Sequence, residues 1–263
     1  MVEIISSHNN PILRQIRSLH QHKARKETGK FLIEGIHHVG EAVQAGWEIE
    51  SLAYSPELLT SNFGLNQVEI LSQRGIRCFP LAKDLFVSLV SKDNPQGILA
   101  VAHQREHKLG TISSAHFKWA AACISPQDPG NIGTILRTLD AVGADMLFLL
   151  DGGVELYNPT LVRSSMGSLF WKPVVQCSFP EFIEWGHGHD LRLVGSSAHA
   201  DVDYRKVKRM DQPTVLLLGN EQKGLTKDQM AACDIVVSIP MNGRGSSLNL
   251  AVAAGILLYT LMR

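Results

Sequence analysis

No two cysteines of this 263-residue chain stand in a C-x-x-C pair. Cys78, Cys123, Cys177 and Cys233 lie far apart, which excludes a zinc knuckle or a redox dithiol and leaves reduced core thiols as the expectation. Net charge is missing too, since 25 Lys and Arg balance 25 Asp and Glu. Whole-chain charge therefore gives no support to nucleic-acid binding, and an anionic partner must be held by a local cluster. The opening "MVEIISSHNNPILRQ" has no basic segment followed by an apolar run. The longest apolar stretch, Leu248 to Met262, is short for a membrane span and contains Gly255, so a cytoplasmic protein is expected. Apolar residues are not scarce: a 44% hydrophobic and 19% charged composition excludes disorder, and the length allows two modest domains.

One local cluster is basic. From Arg14 to Lys30, "RQIRSLHQHKARKETGK" sets Arg14, Arg17, Lys23, Arg25, Lys26 and Lys30 against Glu27 alone. A solvated helix face and an anion-binding surface both account for it.

Short apolar runs bounded by turn residues fill the second half: Trp119 to Ile124, Met146 to Leu150, Pro173 to Cys177, Leu191 to Ser197, Thr214 to Gly219 and Ile235 to Pro240. They read as buried strands. Helix-length segments separate most of them, notably Asn131 to Val142, Asn158 to Phe170 and Ser247 to Met262, which predicts an α/β fold with a parallel sheet and helices on both faces. The first hundred residues repeat the alternation more weakly in "FLIEG", "IHHVGEAVQAG", "IESLAYS" and "GILAVAH". Between the halves "QREHKLGTISSAH" reads as a linker. The expected division is a small α/β domain over 1–108 and a second domain over 109–263.

Near the end, "SIPMNGRGSSLNLAVAAG" has the outline of a dinucleotide loop, a strand and Gly243-x-Gly245 before a helix. Leu248 stands where the third glycine belongs, and the chain stops before an acidic residue could hold a ribose, so a nicotinamide site is excluded. "GNEQKGLT" has its Lys before the Gly and no G-K-[ST], which excludes a P-loop. Yet three strand ends carry polar, glycine-containing loops, at Ser125 to Asp145, Leu216 to Thr226 and Ser238 to Tyr259, and ligands of open α/β sheets gather outside the carboxyl ends of strands.

Those three segments resemble the signature motifs of the SpoU/TrmH family of RNA 2′-O-ribose methyltransferases. The first is matched by Asn131, Gly133, Arg137 and the run from Asp140, the second by Gly219-Asn220-Glu221 and Gly224, and the third by Ile239-Pro240 with Ser247-Leu248-Asn249. "RSSMGSLFWKPV" (Arg163 to Val174) matches a further family segment, and Asn10 to Ala42 resembles the ribosomal-protein-like RNA-binding domain of the ribosomal-RNA branch. The third motif continues "NLAVAAG" where many members have Ser after the Asn. The resemblance implies a Rossmann-like catalytic domain with a deep C-terminal trefoil knot, S-adenosylmethionine as methyl donor, and a homodimer paired through helices that include the last. Structured RNA of the 23S ribosomal type is the implied substrate. A transfer-RNA enzyme of the same family, an inactive RNA-binding protein of this fold and a small-molecule enzyme on a Rossmann-like sheet remain alternatives.

On that resemblance the catalytic set is Asn131, Arg137, Glu221, Ser247 and Asn249. Arg137 is protonated at any working pH, so it is expected to clamp a phosphate beside the target nucleotide rather than act as a base. The competing structural role for it is an ion pair with Asp140 or Asp128. Glu221 is expected to orient Arg137 or to accept a hydrogen bond from RNA, while Ser247 and Asn249 are expected to cap the last helix as well as to contact substrate or Glu221. Cofactor contacts are expected, mainly through backbone, at Ser196, Gly219, Ile239, Met241 and Leu248. RNA contacts are expected at Arg14, Arg17, Lys23, Arg25 and Lys26. No metal is implied, because His187-x-His189 lacks further ligands.

Overall fold

The computed structural model describes residues 4–7, 10–91, 94–112, 118–207 and 212–261. Part of the expected linker, 113–116, and Met262 of the expected last helix lie outside these. The chain divides into two compact units, one of residues up to Arg105 together with Tyr157–Phe170, the other of Glu106–Leu156 and Trp171–Arg263. A single cut in the sequence has no way to express the Tyr157–Phe170 excursion.

The first unit holds α1 (Pro11–Ser18), α2 (His22–Thr28), β1 (Lys30–Glu34), α3 (Ile36–Gln44), β2 (Ile49–Tyr54), α4 (Asn62–Gln73), β3 (Arg77–Pro80), α5 (Lys83–Val87) and β4 (Ile98–His103). Its sheet runs β1-β4-β2-β3, with β4 antiparallel to both neighbours and β2 parallel to β3. Successive side chains of a strand point to opposite faces, and both faces of β1 are covered. Leu32 joins Leu13, Ile16 and Phe86 in one core layer, whereas Phe31 meets Trp47 at 5.6 Å and Tyr157 at 4.5 Å between ring centroids. Trp47 Nε1 donates to the Phe170 carbonyl at 3.0 Å, so the excursion supplies part of this unit's aromatic core.

The second unit continues with β5 (Trp119–Ile124), α6 (Pro129–Ala141), β6 (Met146–Leu150), β7 (Val174–Cys177), α8 (Phe179–His187), β8 (Arg192–Ser196), β9 (Val202–Asp203), β10 (Thr214–Leu218), α9 (Lys227–Ala231), β11 (Ile235–Ser238) and α10 (Leu250–Leu261); α7 (Pro159–Ser164) belongs to the excursion. The sheet order is β7-β6-β5-β10-β8-β11-β9, and every pairing is parallel. β5, β6 and β10 are buried at every position because both faces are covered, which is why they read as unbroken apolar runs.

Helix starts are written in Asx-Pro pairs. Asn10-Pro11, Asp128-Pro129 and Asn158-Pro159 each put a side-chain acceptor at the N-cap, where it binds an otherwise unpaired N–H, and a proline at the first helical position. The helix expected over Asn158 to Phe170 instead breaks: α7 ends at Ser164, Met166 takes a left-handed φ of +48°, and a short 3₁₀ turn covers Ser168–Phe170. The last helix begins at Leu250 rather than Ser247, because Asn249 takes the cap.

Candidate active site

All strands of the second sheet point the same way, so the carboxyl ends of β5, β8, β10 and β11 open on one side. Two adjoining cavities lie there. The larger, about 420 Å³, is lined by Ser196 and Ser197 at the end of β8, by Leu218 to Leu225 at and beyond the end of β10, and by Ile239, Met241, Ser247 and Leu248 after β11. That volume suits a small nucleoside-sized ligand. Its lining mixes apolar side chains with hydroxyl and amide groups, His199, Glu221 and Lys223, and it includes all five residues expected to meet a cofactor: Ser196, Gly219, Ile239, Met241 and Leu248. At Gly219 a Cβ stands 2.3 Å from the Gly224 carbonyl carbon and 2.5 Å from the Leu225 nitrogen, so no larger residue fits the turn.

The second cavity, about 400 Å³, is lined by Gln127, Asp128, Asn131, Glu221, Gln222 and Ser247 to Leu250. Glu221 and Ser247 stand on the wall shared by the two. Here side chains from three strand ends join. The Glu221 carboxylate accepts from the Gln127 N–H at 3.0 Å, the Asp128 N–H at 3.3 Å and Asn131 Nδ2 at 3.3 Å. Asn131 Oδ1 in turn accepts from Asn249 Nδ2 at 2.9 Å. Asn249 Oδ1 takes the Ala251 and Val252 N–H groups that open α10. Both ends of each amide are committed, which fixes their orientation. Glu221 sits against the N-terminus of α6, where a negative charge is favoured, and it accepts from three protein donors. The packing of α10 on α6 and β10 brings the third segment to the first.

Ser247 is exposed and makes no hydrogen bond to Glu221 among the described residues; the capping expected of it is done by Asn249. Arg137 lies elsewhere. It is exposed on the outer face of α6, about 9 Å along the axis from Asn131 at 1.5 Å per residue, and lines neither cavity. Among the described residues it has no ion-pair or hydrogen-bond partner. The pairs considered for it do not form, because Asp140 is bound to Lys172 at 3.3 Å and Asp128 caps α6. Nor does Glu221 orient it: among the described residues no hydrogen bond or ion pair joins the two.

The basic segment of the first unit splits. Arg14, Lys23 and Lys26 are exposed, and Arg17 is half-buried with Nη2 3.5 Å from Ser88 Oγ. Arg25 is corrected: it is 2% exposed, and its Nη1 donates to the Leu19 carbonyl at 2.7 Å, so its charge closes the α1–α2 turn instead of facing a partner. Its place in a run of cations concealed that it points inward.

Sequence reasoning passed over the main chain of Gln127 and Asp128, the loop Ser197 to His199, and Gln222 and Lys223 of the larger cavity. Only the polar content after β8 and β10 hinted at them. Backbone donors carry no side-chain signal at all. Cys123, at the end of β5, is wholly buried, which pushes its thiol well above the usual range, with the Glu221 charge adding to the rise. It is a packing residue. Among the described residues no group of three or more His, Cys, Asp or Glu is gathered, and no helix is long and apolar enough to cross a membrane.

The profile of the SpoU rRNA Methylase family matches residues 119–259, and that of the MRM3-like substrate binding domain matches residues 10–100. The chain is 32% identical to the 23S rRNA (guanosine(2553)-2′-O)-methyltransferase RlmP of Bacillus subtilis, over 98% of each protein. It is 35% identical to the 23S rRNA (uridine(2479)-2′-O)-methyltransferase of Streptomyces viridochromogenes, over 91% of this chain and 84% of the other. Among solved structures, the AdoMet-bound rRNA methyltransferase from Sinorhizobium meliloti superposes with a TM-score of 0.89 at 33% identity, covering 98% of this chain and 97% of the other.

Proposed function

The chain belongs to the SpoU rRNA methylase family, and from that premise we propose that it methylates a ribose 2′-hydroxyl of 23S-type ribosomal RNA with S-adenosylmethionine. The observation that carries the reading is the Glu221–Asn131–Asn249 chain of hydrogen bonds, which ties the three strand-end loops into the wall between a nucleoside-sized cavity and a second, open one. A bound S-adenosylmethionine supplies an activated methyl group with a good leaving group. What remains for the protein is to align the hydroxyl and help its proton leave, so positioning dominates.

The larger cavity is assigned to the cofactor. Gly219 and its turn let backbone approach closely, and the peptide groups around Ile239, Met241 and Leu248 recognise a base edge without added charge. The second cavity takes the target ribose. Asn131 and Asn249, oriented at both ends, present fixed polar edges to it, and Ser247 stands free on the shared wall. Glu221 holds the loops in register through its bonds to Gln127, Asp128 and Asn131.

Arg137 is the phosphate clamp. Its exposure and lack of a protein partner leave all its donors for an RNA phosphate, bidentately. Arg14, Arg17, Lys23 and Lys26 of the first unit hold RNA backbone. The enzyme works as a homodimer through α10, a helix apolar around its whole circumference, which leaves Val252 and Tyr259 each 51% exposed. The C-terminal segment carries the trefoil knot of the family. A cytoplasmic setting is supported by four free cysteines.

The test is Arg137→Ala. The variant is expected to keep the wild-type melting temperature and to lose methyl transfer to ribosomal RNA by about 100-fold or more, the scale of a lost electrostatic clamp. Turnover at the wild-type rate removes the clamp from the mechanism. Mapping ribose methylation on RNA from cells lacking the gene identifies the nucleotide.

A further inference from the structure

We infer that Asn220 is a positioning residue that couples the larger cavity to the Glu221 carboxylate. The inference rests on the methyl-transfer reading of the two cavities. Asn220 uses its amide in two directions. Toward its own turn, Oδ1 accepts from the Gln222 N–H at 3.0 Å and the Lys223 N–H at 3.2 Å, while the Gly224 N–H returns to the Asn220 carbonyl at 2.8 Å. That arm shapes the 219–224 turn lining the larger cavity. Away from the turn, Nδ2 donates to the Ser125 carbonyl at 2.8 Å, 95 residues distant in sequence.

Ser125 is an unusual anchor. It holds a left-handed φ of +43°, a conformation that disfavours residues with a Cβ and persists only when the surroundings enforce it. Its N–H donates to the Leu150 carbonyl at 2.8 Å and its Oγ to the Asp151 carbonyl at 3.1 Å. Asp151 is itself left-handed at +57°. Beneath them Gly153 passes so close that a Cβ there stands 2.3 Å from the Pro126 carbonyl oxygen. The chain leaving Ser125 is thus held from several sides, and two residues on it offers the Gln127 and Asp128 N–H groups to Glu221.

Glu221 follows Asn220 directly. One peptide unit therefore carries both the group that grips Ser125 and the group that accepts from the loop Ser125 aims. A shift of the 219–224 turn when the cavity fills moves both grips together, and Asn220 keeps them in step.

The two arms can be separated. Asn220→Asp retains an acceptor for Gln222 and Lys223 and loses the donor to Ser125, adding repulsion against that carbonyl. Its kcat is expected to fall on the order of 100-fold, the penalty of misplacement by about 1 Å. The dissociation constant for S-adenosylmethionine, read by calorimetry, should stay within about threefold and KM for RNA should hold. Asn220→Ala loses both arms and should weaken cofactor binding as well as kcat. Wild-type kcat in Asn220→Asp overturns the inference, as does an equal loss of kcat and cofactor affinity in both variants. In the wild-type protein, amide exchange at Gln127 and Asp128 is expected to slow by about tenfold on saturation with S-adenosylmethionine; unchanged exchange overturns the coupling whether or not the variants fold. If the wild-type protein transfers no methyl group to RNA, the functional reading fails while the exchange measurement still decides the coupling.

Discussion

The two units treat their polar side chains in opposite ways. In the first, polar groups close on one another. Glu50 is bound by Lys30, by Gln15 at 2.9 Å and by His103 at 3.3 Å, Arg25 is turned inward onto Leu19, and the Tyr157 hydroxyl donates to the Arg105 carbonyl at 2.6 Å. In the second, they are bonded to one another yet still line open space, as Glu221, Asn131 and Asn249 do. The difference follows from strand direction. A sheet with antiparallel neighbours sends successive strand ends to opposite edges, whereas an all-parallel sheet sends every carboxyl end to one. Polar loops on the parallel sheet therefore meet, and polar residues of the mixed sheet find partners one at a time.

Substitutions should respect this division. The largest effect is expected at Gly219→Ala, where a methyl group meets backbone of Gly224 and Leu225. S-adenosylmethionine affinity should weaken by about 100-fold, as overpacking of about 2–3 kcal/mol implies, with little change in RNA binding; calorimetry and gel shifts measured side by side check it. A loss of stability rather than of binding is expected at Arg25→Ala, which leaves the buried Leu19 carbonyl without its donor and should cost about 2 kcal/mol of stability by denaturant titration. By contrast, Lys23→Ala with Lys26→Ala should leave stability unchanged and reduce the salt slope of RNA binding by about 1–2. An Arg25 variant that unfolds no more easily but binds RNA with a flatter slope would erase the contrast between inward and outward cations.

The smallest effect concerns pH. Burial alone raises Glu50, but hydrogen bonds from Lys30 and Gln15, with the charges of Lys30 and His103, leave it net below its ordinary value. A carboxylate lowered on folding contributes stability that is present above its unfolded pKa and is lost as pH falls through the folded one. Glu50→Gln should therefore lower the melting temperature slightly at neutral pH, and the difference from wild type should shrink below about pH 4, the unfolded carboxylate range. A difference that persists or grows in acid rules out this role for Glu50.

Much of the second unit was legible because its signals are local. Unbroken apolar runs such as "MLFLL" and "TVLLL" mark strands covered on both faces, and the polar loops after them mark the open edge. The five residues expected around a cofactor line one cavity for the same reason, since each ends or follows a strand of the same parallel sheet. The first unit was harder. Nothing in "KFLIE" and "ILAVAH" says that β4 runs against its neighbours, and Arg25 looks like the cations around it until α1 and α2 are packed. The break in the Asn158 to Phe170 helix follows from Met166 turning left-handed before Gly167, which also takes a positive φ, with Phe170 beyond it bound against Trp47.

Residue type and short spacing, by themselves, determined where strands and capped helices lie and which loops carry polar groups, because those properties depend on neighbours within a turn or two of chain. Tertiary structure alone decided that the amides of Gln127 and Asp128 meet a carboxylate more than 90 residues away, and that Arg137 stands outside the cluster its motif suggested. Backbone donors are the same at every residue but proline, so their use is settled only by how strands are ordered and how closely glycines let their ends approach.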